Sequence, residues 1–191
     1  MAPKKRRAVK RQVWNKGLVI GKRDGLTPAQ VKRIRGLLDD RGTAGIKELA
    51  LFTTAIDTML RSVIKVRQTR GAPPVRRALS RVAVRALEKW IAASGKKRTD
   101  YLFSGRGGDR PMSTRQLSYL VKLWITEAGL DPKRYSTESL RRAKALHILR
   151  GTGDLQTVRA LLGHVQIEST ARYLGLKTKA DPIEVSRAFA I

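Results

Sequence analysis

The sequence predicts a mainly α-helical domain of the α+β class. Apolar residues recur at helical spacing in several segments. These segments begin at Ser, Thr or Asp and end at Gly, the residues that commonly cap helices. A chain of 191 residues with 41% hydrophobic residues can also bury one substantial core. We therefore expect a single domain of helices joined by short turns.

The predicted helices follow one another along most of the chain. The first begins at Thr27 and Pro28, since proline suits the first helical position. The most apolar helical stretch covers residues 47–65, and further helices cover residues 81–93 and 113–127. Within residues 81–93 we expect the large apolar side chains to lie in the core: Val82, Val84, Leu87, Trp90 and Ile91.

Three short helices are predicted in the last part of the domain, over residues 136–175. The first is capped by Ser136, the second is capped by Asp154 and closed by Gly163, and the third begins near Gln166. Tight joints between them place polar side chains at the starts and ends of elements. Such positions allow side chains to converge on one anion.

The chain carries a large excess of positive charge. Its 41 Lys and Arg residues stand against 15 Asp and Glu, which gives a formal net charge of +26. Such an excess favours a polyanionic partner, most commonly nucleic acid. The absence of cysteine excludes disulfides and thiolate zinc sites, and we expect no metal. The sequence contains no apolar run of membrane-spanning length and no secretory signal, so we expect a soluble cytoplasmic protein without membrane contacts.

Residues 1–12 form a basic stretch, MAPKKRRAVKRQ. Its charge predicts a solvated arm in the free protein that makes non-specific contacts with phosphates. We divide the chain into this arm at residues 1–25, a domain at 26–180 and a short amphipathic tail helix at 181–191. The candidate nucleic-acid contacts of the arm are Lys4, Lys5, Arg6 and Arg7.

The residues of the central stretch suit phosphoryl transfer to tyrosine. Arg141 and Arg142 can bind phosphate oxygens bidentately, and the imidazole of His164 can add a further donor. Tyr173 can act as a nucleophile that forms a covalent phosphotyrosine without a metal or an energy-rich cofactor.

The order and spacing of these residues resemble the tyrosine recombinases, or phage integrases. The matching segments read LRR at 140–142, LLGH at 161–164 and STARYLG at 169–175, with separations of 23 and 9 residues between Arg141, His164 and Tyr173. The resemblance implies the family's catalytic-domain fold with a small antiparallel sheet. It also implies cleavage and rejoining of double-stranded DNA through a 3′-phosphotyrosine, without cofactor. The expected setting is a homo-oligomer, or a pairing with a partner recombinase, on DNA in the bacterial nucleoid.

The resemblance implies one more catalytic arginine, Arg61, in the segment AIDTMLR at 55–61. Between Arg61 and the next helix there is room for two short strands, residues 63–68 and 74–78, so we expect a shortened sheet. The family's sheet offers a lysine as general acid, but the corresponding position here lies near Arg70. Because the guanidinium pKa exceeds about 12, arginine is a poor general acid, and we expect Arg70 to contact DNA instead.

A Gly-rich loop precedes the helix at residues 113–127, as it does in the family. Ser113, Thr114 and Arg115 stand at the start of this helix, where amide groups and a guanidinium suit a DNA phosphate. A simple helix cap is the alternative, and both can hold. Arg142 is a further candidate DNA contact of the domain, beside Arg70 and Arg115.

Glu138 occupies the position at which the family has a histidine, three residues before the arginine. Its carboxylate could accept the proton of Tyr173, or it could pair with Arg141 or Arg142. His147 also precedes an arginine by three residues, but that register leaves only 14 residues from Arg150 to His164. We therefore interpret His147 as a histidine that lies on the helix surface or is semi-buried.

Two functions remain open. An active recombinase is favoured by the presence of Arg61, Arg141, His164 and Tyr173 together. A catalytically impaired DNA-binding relative, acting as an accessory or regulator of recombination, is favoured by Glu138, the missing lysine and the shortened sheet. A purely basic structural protein would leave the spacing of the motifs unexplained.

Overall fold

The computed structural model of the chain describes residues 24–59, 78–105, 107–108 and 110–176. These residues form a helical domain, which confirms the mainly α-helical prediction. The helices are α1 (Pro28–Asp39), α2 (Ile46–Thr58), α3 (Arg81–Ser94), α4 (Thr114–Glu127), α5 (Thr137–Thr152), α6 (Leu155–Leu162) and α7 (Ile167–Leu174), with a 3₁₀ turn at Gly42–Gly45.

The predicted caps define the helix starts. The Thr27 hydroxyl accepts a hydrogen bond from the Gln30 amide at 3.3 Å, and Ser113 accepts one from the Gln116 amide at 3.2 Å. Asp154 accepts one from a first-turn amide of α6 at 2.8 Å. Each cap satisfies a backbone donor that the helix cannot pair internally. Cap chemistry was therefore a reliable guide to where these helices begin.

The main core is formed by side chains from α1 to α5 and from the segments that join them. Phe52 of α2 and Trp124 of α4 are almost fully buried and meet edge to face, with ring centroids 5.5 Å apart. The indole Nε1 of Trp124 donates to Glu48 at 2.6 Å, and Arg41 pairs with the same carboxylate. Arg41 also bonds to Glu127 at the end of α4. This polar cluster joins α2, α4 and the 3₁₀ turn at one end of the core.

A second, smaller core lies beneath the three last helices. It packs α5, α6 and α7 together through apolar side chains that include Leu149, Val158, Leu162 and Leu174. Because α7 is held by this cluster, the position of its side chains is set by packing and not by the short helix alone. This cluster therefore supports the part of the chain that carries the tyrosine.

The prediction for the core face of α3 was partly wrong. Val82, Val84 and Ile91 are 48%, 37% and 46% exposed. The buried face is instead formed by Ala83 and Ala86, with Leu87 and Trp90 partly buried beside it. These residues follow the helical spacing of one stripe, and the small alanines allow α3 to pack closely on α2.

The apolar stretch at residues 47–65 contains one described helix, which ends at Thr58. Met59 then adopts a left-handed conformation with φ of 52°, a conformation that is unfavourable for a residue with a side chain. The strands expected at 63–68 and 74–78 lie outside the described residues, except for Ala78, which is not in a strand. Among the described residues the β structure is a single bridge between Ser104 and Pro111. None of the described helices is long and apolar enough to span a bilayer.

Candidate functional site

Three helices bring the predicted residues of the central stretch together. Glu138, Arg141 and Arg142 lie in the first two turns of α5, and Tyr173 lies in the last turn of α7. Between these helices, α6 ends at Gly163, whose φ of 69° turns the chain sharply and places His164 directly after the helix. A side chain at this φ would be strained, which explains why glycine precedes the histidine.

The phenol of Tyr173 is the centre of the site. Its hydroxyl donates to Oε2 of Glu138 at 3.1 Å and lies 3.4 Å from the backbone oxygen of the same residue. The His164 ring meets the phenol ring edge to face, with centroids 5.6 Å apart. The guanidinium carbon of Arg142 lies 4.7 Å from the phenol ring centroid. Residues separated by up to 35 positions in sequence therefore surround one half-buried tyrosine side chain.

This environment raises the pKa of Tyr173 well above its ordinary value. Burial is the largest cause, and the charge of Glu138 and its hydrogen bond with the phenol add to it. The positive charges of Arg141 and Arg142 act in the opposite direction but do not outweigh burial. The phenol is therefore neutral at physiological pH, and its proton points towards a carboxylate that can accept it.

The two arginines are buried to the same extent but bonded differently. Arg141 and Arg142 are each only 7% exposed. Nη2 of Arg141 donates to the backbone oxygen of Leu162 at 2.6 Å, and this carbonyl lies at the C-terminal end of α6. Nε and Nη1 of Arg142 are buried and form no hydrogen bond with any described residue. Arg142 thus presents a desolvated cation with unused donors beside the phenol, an arrangement suited to an anion.

His164 is oriented by a residue that the sequence analysis did not identify. Its Nδ1 lies 3.0 Å from the hydroxyl of Thr170, which is completely buried in α7. A hydroxyl proton donated to Nδ1 would leave the neutral ring with its proton on Nε2. Thr170 lies three residues before Tyr173, about one turn away on the same helix. This spacing could have identified Thr170 from the sequence as a neighbour of the site.

Several predicted site residues are not part of this cluster. Arg61, Arg70 and the four basic residues of the N-terminal arm (Lys4, Lys5, Arg6 and Arg7) lie outside the described residues. Arg115 is exposed in the first turn of α4 and lines a different cavity. His147 is exposed on α5, in agreement with its interpretation as a surface histidine. The described residues contain no group of three or more His, Asp or Glu side chains placed to hold a metal ion.

A buried carboxylate on α2 also bears on this region and was missed from the sequence. Asp57 accepts hydrogen bonds from the Ser80 amide at 2.8 Å and from Lys144 Nζ at 3.2 Å. Burial alone would raise the pKa of Asp57, but the Ser80 hydrogen bonds and the charge of Lys144 outweigh it and lower the pKa. Asp57 thereby links the end of α2 to the start of α3 and to α5. Its partner on α5, Lys144, lies one turn after Arg141.

The sequence was compared with known proteins. The model of the phage integrase family matches residues 46–179. The tyrosine recombinase XerD of Caulobacter vibrioides is 35% identical over 79 residues, which are 41% of this chain and 26% of that protein. The tyrosine recombinase XerC of Xylella fastidiosa is 36% identical over 94 residues, which are 49% of this chain and 31% of that protein. The chain thus spans less than a third of the length of these relatives.

Solved structures share the fold. The crystal structure of XerA recombinase has a TM-score of 0.65 at 19% identity and covers 87% of this chain and 62% of its own. The Tn1549 transposon integrase, solved with circular intermediate DNA, has a TM-score of 0.65 at 15% identity and covers 90% of this chain and 65% of its own. At these identities the similarity concerns the fold alone.

Proposed function

Because the chain belongs to the phage integrase family, we propose that it is a site-specific DNA recombinase that cleaves and rejoins DNA through a 3′-phosphotyrosine. The observation that carries the proposal is the cluster around Tyr173. Its hydroxyl donates to a carboxylate, a buried guanidinium lies over its ring, and a histidine meets the ring edge to face. A nucleophile needs a proton acceptor, and a phosphodiester needs donors for its oxygens. Both requirements are met within one cluster of side chains.

In the proposed reaction, the Tyr173 oxygen attacks the phosphorus of one DNA linkage. The bond from phosphorus to the 5′ oxygen breaks, and a 3′-phosphotyrosine bond forms in its place. Glu138 accepts the phenol proton, since its Oε2 is 3.1 Å from the hydroxyl. The 5′ oxygen takes up a proton from water as it departs, so that a 5′ hydroxyl is released. Rejoining is the reverse, with a 5′ hydroxyl as the attacking group.

The remaining groups would act on the phosphate. Arg141 and Arg142 would bind its non-bridging oxygens, and His164 would donate through Nε2. We place Arg61 in the same role, and we propose that the shortened sheet follows it in the chain. The proposed catalytic domain covers residues 26–180, between an N-terminal arm at 1–25 and a tail helix at 181–191. The match to the family over residues 46–179 supports this division.

Double-stranded DNA is the proposed substrate, and the formal net charge of +26 favours it. XerC and XerD are named as tyrosine recombinases, and the Tn1549 integrase was solved with DNA. By analogy we propose that this chain acts on DNA of the bacterial nucleoid as a homo-oligomer or with a partner recombinase. Reaction on both strands of a recombining site requires more than one nucleophilic tyrosine.

A second function is favoured by the carboxylate at position 138. A negative charge beside the phenol raises the pKa of Tyr173, and it would also repel an approaching phosphate. The chain would then bind DNA as an accessory or regulator of recombination without cleaving it. The two functions differ in one observable, a covalent bond to DNA.

A trapping assay separates the two functions. Nicked duplexes with randomised sequence around the nick release the 5′-hydroxyl fragment after cleavage, so that the phosphotyrosine adduct cannot reverse. Wild type is compared with Tyr173→Phe and with Tyr101→Phe, which removes the hydroxyl of a tyrosine that is 52% exposed. We expect denaturant-resistant adducts for wild type and Tyr101→Phe and none for Tyr173→Phe. Tight DNA binding without an adduct would establish the accessory function instead.

A further inference from the structure

A second group of cations lies on elements other than those that hold Tyr173. Lys47 near the start of α2 donates through Nζ to the backbone oxygen of Ser104 at 3.1 Å. Lys96, which follows α3, donates through Nζ to the hydroxyl oxygen of the same serine at 3.2 Å. Two ammonium groups from different parts of the chain are thus held at one residue. Because both are partly buried, their mutual repulsion is poorly screened by water.

No carboxylate of the described residues forms an ion pair with either lysine. Glu48 follows Lys47 in sequence, but its carboxylate is bound by Arg41 and Trp124, each at 2.6 Å. Burial and the charge of Lys96 lower the pKa of Lys47, while Glu48 acts in the opposite direction. Two partly desolvated like charges repel each other, and a bound anion would relieve this repulsion.

Lys47 lines an open cavity at the N-terminal end of α4, and Ser104, to which Lys96 donates, lines the same cavity. The cavity has a volume of about 500 Å³ and is lined by Lys47, Ser104, Ser113, Arg115 and Gln116 among others, and none of the described residues in its lining is acidic. Ser113 caps the Gln116 amide, while the amides of the first helical residues have no acceptor within the helix. The positive end of the helix dipole therefore adds to the charge of the lysines and of Arg115.

We propose that Lys47 and Lys96 bind a phosphate group of the DNA backbone at this cavity, next to Arg115. The assignment of the phosphate to DNA rests on the proposed function. Each ammonium has three N–H donors and uses one on Ser104, so that donors remain for an anion. A phosphate here fixes the register of the duplex relative to the nucleophile, as backbone contacts do in DNA-binding proteins. From the sequence, Ser113, Thr114 and Arg115 were expected to contact a phosphate here, whereas neither lysine was.

The first experiment uses inorganic phosphate and the full chain without DNA. The lysine side chains are followed by NMR over a pH titration, and the Lys47 signal is identified by its absence in Lys47→Gln. We expect phosphate to raise the pKa of Lys47, because a bound anion favours the charged amine, and we expect Lys96→Gln to abolish this rise. The matched control Lys32→Gln changes an exposed lysine of α1 and should leave the rise intact. A pKa of Lys47 that does not respond to phosphate would overturn the site.

The second experiment measures binding of duplex DNA as a function of salt. Each lost phosphate contact lowers the slope of log affinity against log salt by about 0.9. We expect this change for Lys47→Gln and for Lys96→Gln but not for Lys32→Gln. If the slopes of all three variants equal that of wild type, a DNA contact of the two lysines is refuted. Together with a positive phosphate titration, this result would assign the site to free phosphate.

The two proposals fail in different ways. If wild type binds DNA with the expected lysine slopes but forms no adduct, the recombinase proposal is refuted and the phosphate site stands. If adducts form at Tyr173 while the slopes of Lys47→Gln and Lys96→Gln equal that of wild type, the phosphate site is refuted and the recombinase proposal stands. Circular dichroism of each variant identifies any loss of binding that is caused by unfolding.

Discussion

At the scale of single residues, the proposed attack on DNA depends on how Tyr173 loses its proton. Burial and the adjacent carboxylate of Glu138 keep the phenol neutral, whereas Arg141 and Arg142 favour the phenolate. A neutral phenol is a weak nucleophile, so attack must be coupled to transfer of its proton to an acceptor. Glu138 is the acceptor in direct contact with the hydroxyl. The carboxylate therefore both raises the pKa of the nucleophile and provides the route for its proton.

The Glu138→Gln variant tests the electrostatic part of this argument. Removing the carboxylate removes both its charge and its role as a strong acceptor for the neutral phenol, while burial and the arginines remain. We expect the pKa of Tyr173 to fall in this variant. The measurement is the pH titration of tyrosinate absorbance, taken as the difference from the same protein carrying Tyr173→Phe. An unchanged or higher pKa would contradict the assigned cause.

The same position tests whether Glu138 acts as a base. Loss of a general base usually slows a reaction by about 10²-fold or more. We expect adduct formation to slow by about this factor in Glu138→Gln, although the tyrosine pKa falls. Glu138→His, which restores the family's residue, should retain a faster rate than Glu138→Gln. Cleavage by Glu138→Gln at or above the wild-type rate would mean that the carboxylate only hinders the reaction.

The contact between His164 and Thr170 gives a prediction for the neighbouring residue. Thr170→Val removes the hydroxyl that orients the imidazole and keeps the side-chain volume, whereas Thr170→Ser keeps the hydroxyl. The loss of one such hydrogen bond corresponds to up to about tenfold in rate. We therefore expect slower adduct formation in the valine variant only, with DNA affinity unchanged. Equal rates in the two variants would show that Thr170 does not orient the histidine.

Part of this site was predictable from the sequence, and part was not. Arg141, His164 and Tyr173 could be found because their order and separations resemble the motif of the family. The sequence left the partner of Glu138 open between the tyrosine and the arginines, because several rotamers of a long side chain are compatible with one helix position. Only the packed structure of α5 against α7 brings its carboxylate to the phenol.

At the scale of secondary-structure elements, Asp57 holds three helices in place. Its carboxylate is bonded to the Ser80 amide at the start of α3 and to Lys144 on α5, and its side chain is only 3% exposed. Removal of its charge leaves the Lys144 ammonium without this partner. Loss of a hydrogen bond to a charged group typically costs about 1.5–3 kcal/mol of stability.

The Asp57→Asn variant should therefore unfold more easily at neutral pH. Because the folded-state pKa of Asp57 is lowered, its stabilising effect is present above the unfolded pKa, near 3.8, and is lost as the pH falls through the folded pKa. We expect the difference in unfolding free energy between wild type and Asp57→Asn to shrink as the solution becomes strongly acidic. Urea unfolding across pH measures it, with the exposed Asp39→Asn as control. A difference that is independent of pH would contradict the role of the charge.

The helices themselves show what sequence patterns can and cannot predict. Caps such as Ser113 and Asp154 depend on local hydrogen bonds, so the helix starts followed from the sequence. The buried face of α3 depends on how closely α2 approaches. The small residues Ala83 and Ala86 form that face, while the larger Val82 stays exposed. Side-chain size alone therefore predicted that Val82, Val84 and Ile91 are buried, whereas these residues lie off the buried face of this helix.

At the scale of the whole molecule, the excess of positive charge should dominate DNA affinity. The formal net charge of +26 predicts binding that weakens steeply with salt. Part of this charge lies in the basic arm, where we expect solvated side chains to contact phosphates.

Neutralising the arm tests this expectation. Changing Lys4, Lys5, Arg6 and Arg7 together to Gln should lower the salt slope of DNA binding by up to about 4, because each contact contributes about 0.9. The midpoint of thermal unfolding should stay unchanged if the arm is solvated. An unchanged slope would refute the DNA contacts, and a clearly lower midpoint would show that the arm is part of the folded domain.

The identity of the residue that becomes joined to DNA tests the central claim most directly. Trypsin cleaves after Arg172 and Lys177, so that Tyr173 lies in the short peptide YLGLK. After trapping on nicked DNA and digestion of the DNA with nuclease, tandem mass spectrometry can locate the modified side chain. We predict that Tyr173 in this peptide carries a phosphate, or a nucleotide attached through its 3′ phosphate. A trapped adduct in which Tyr173 is unmodified and another residue carries the DNA would contradict the account.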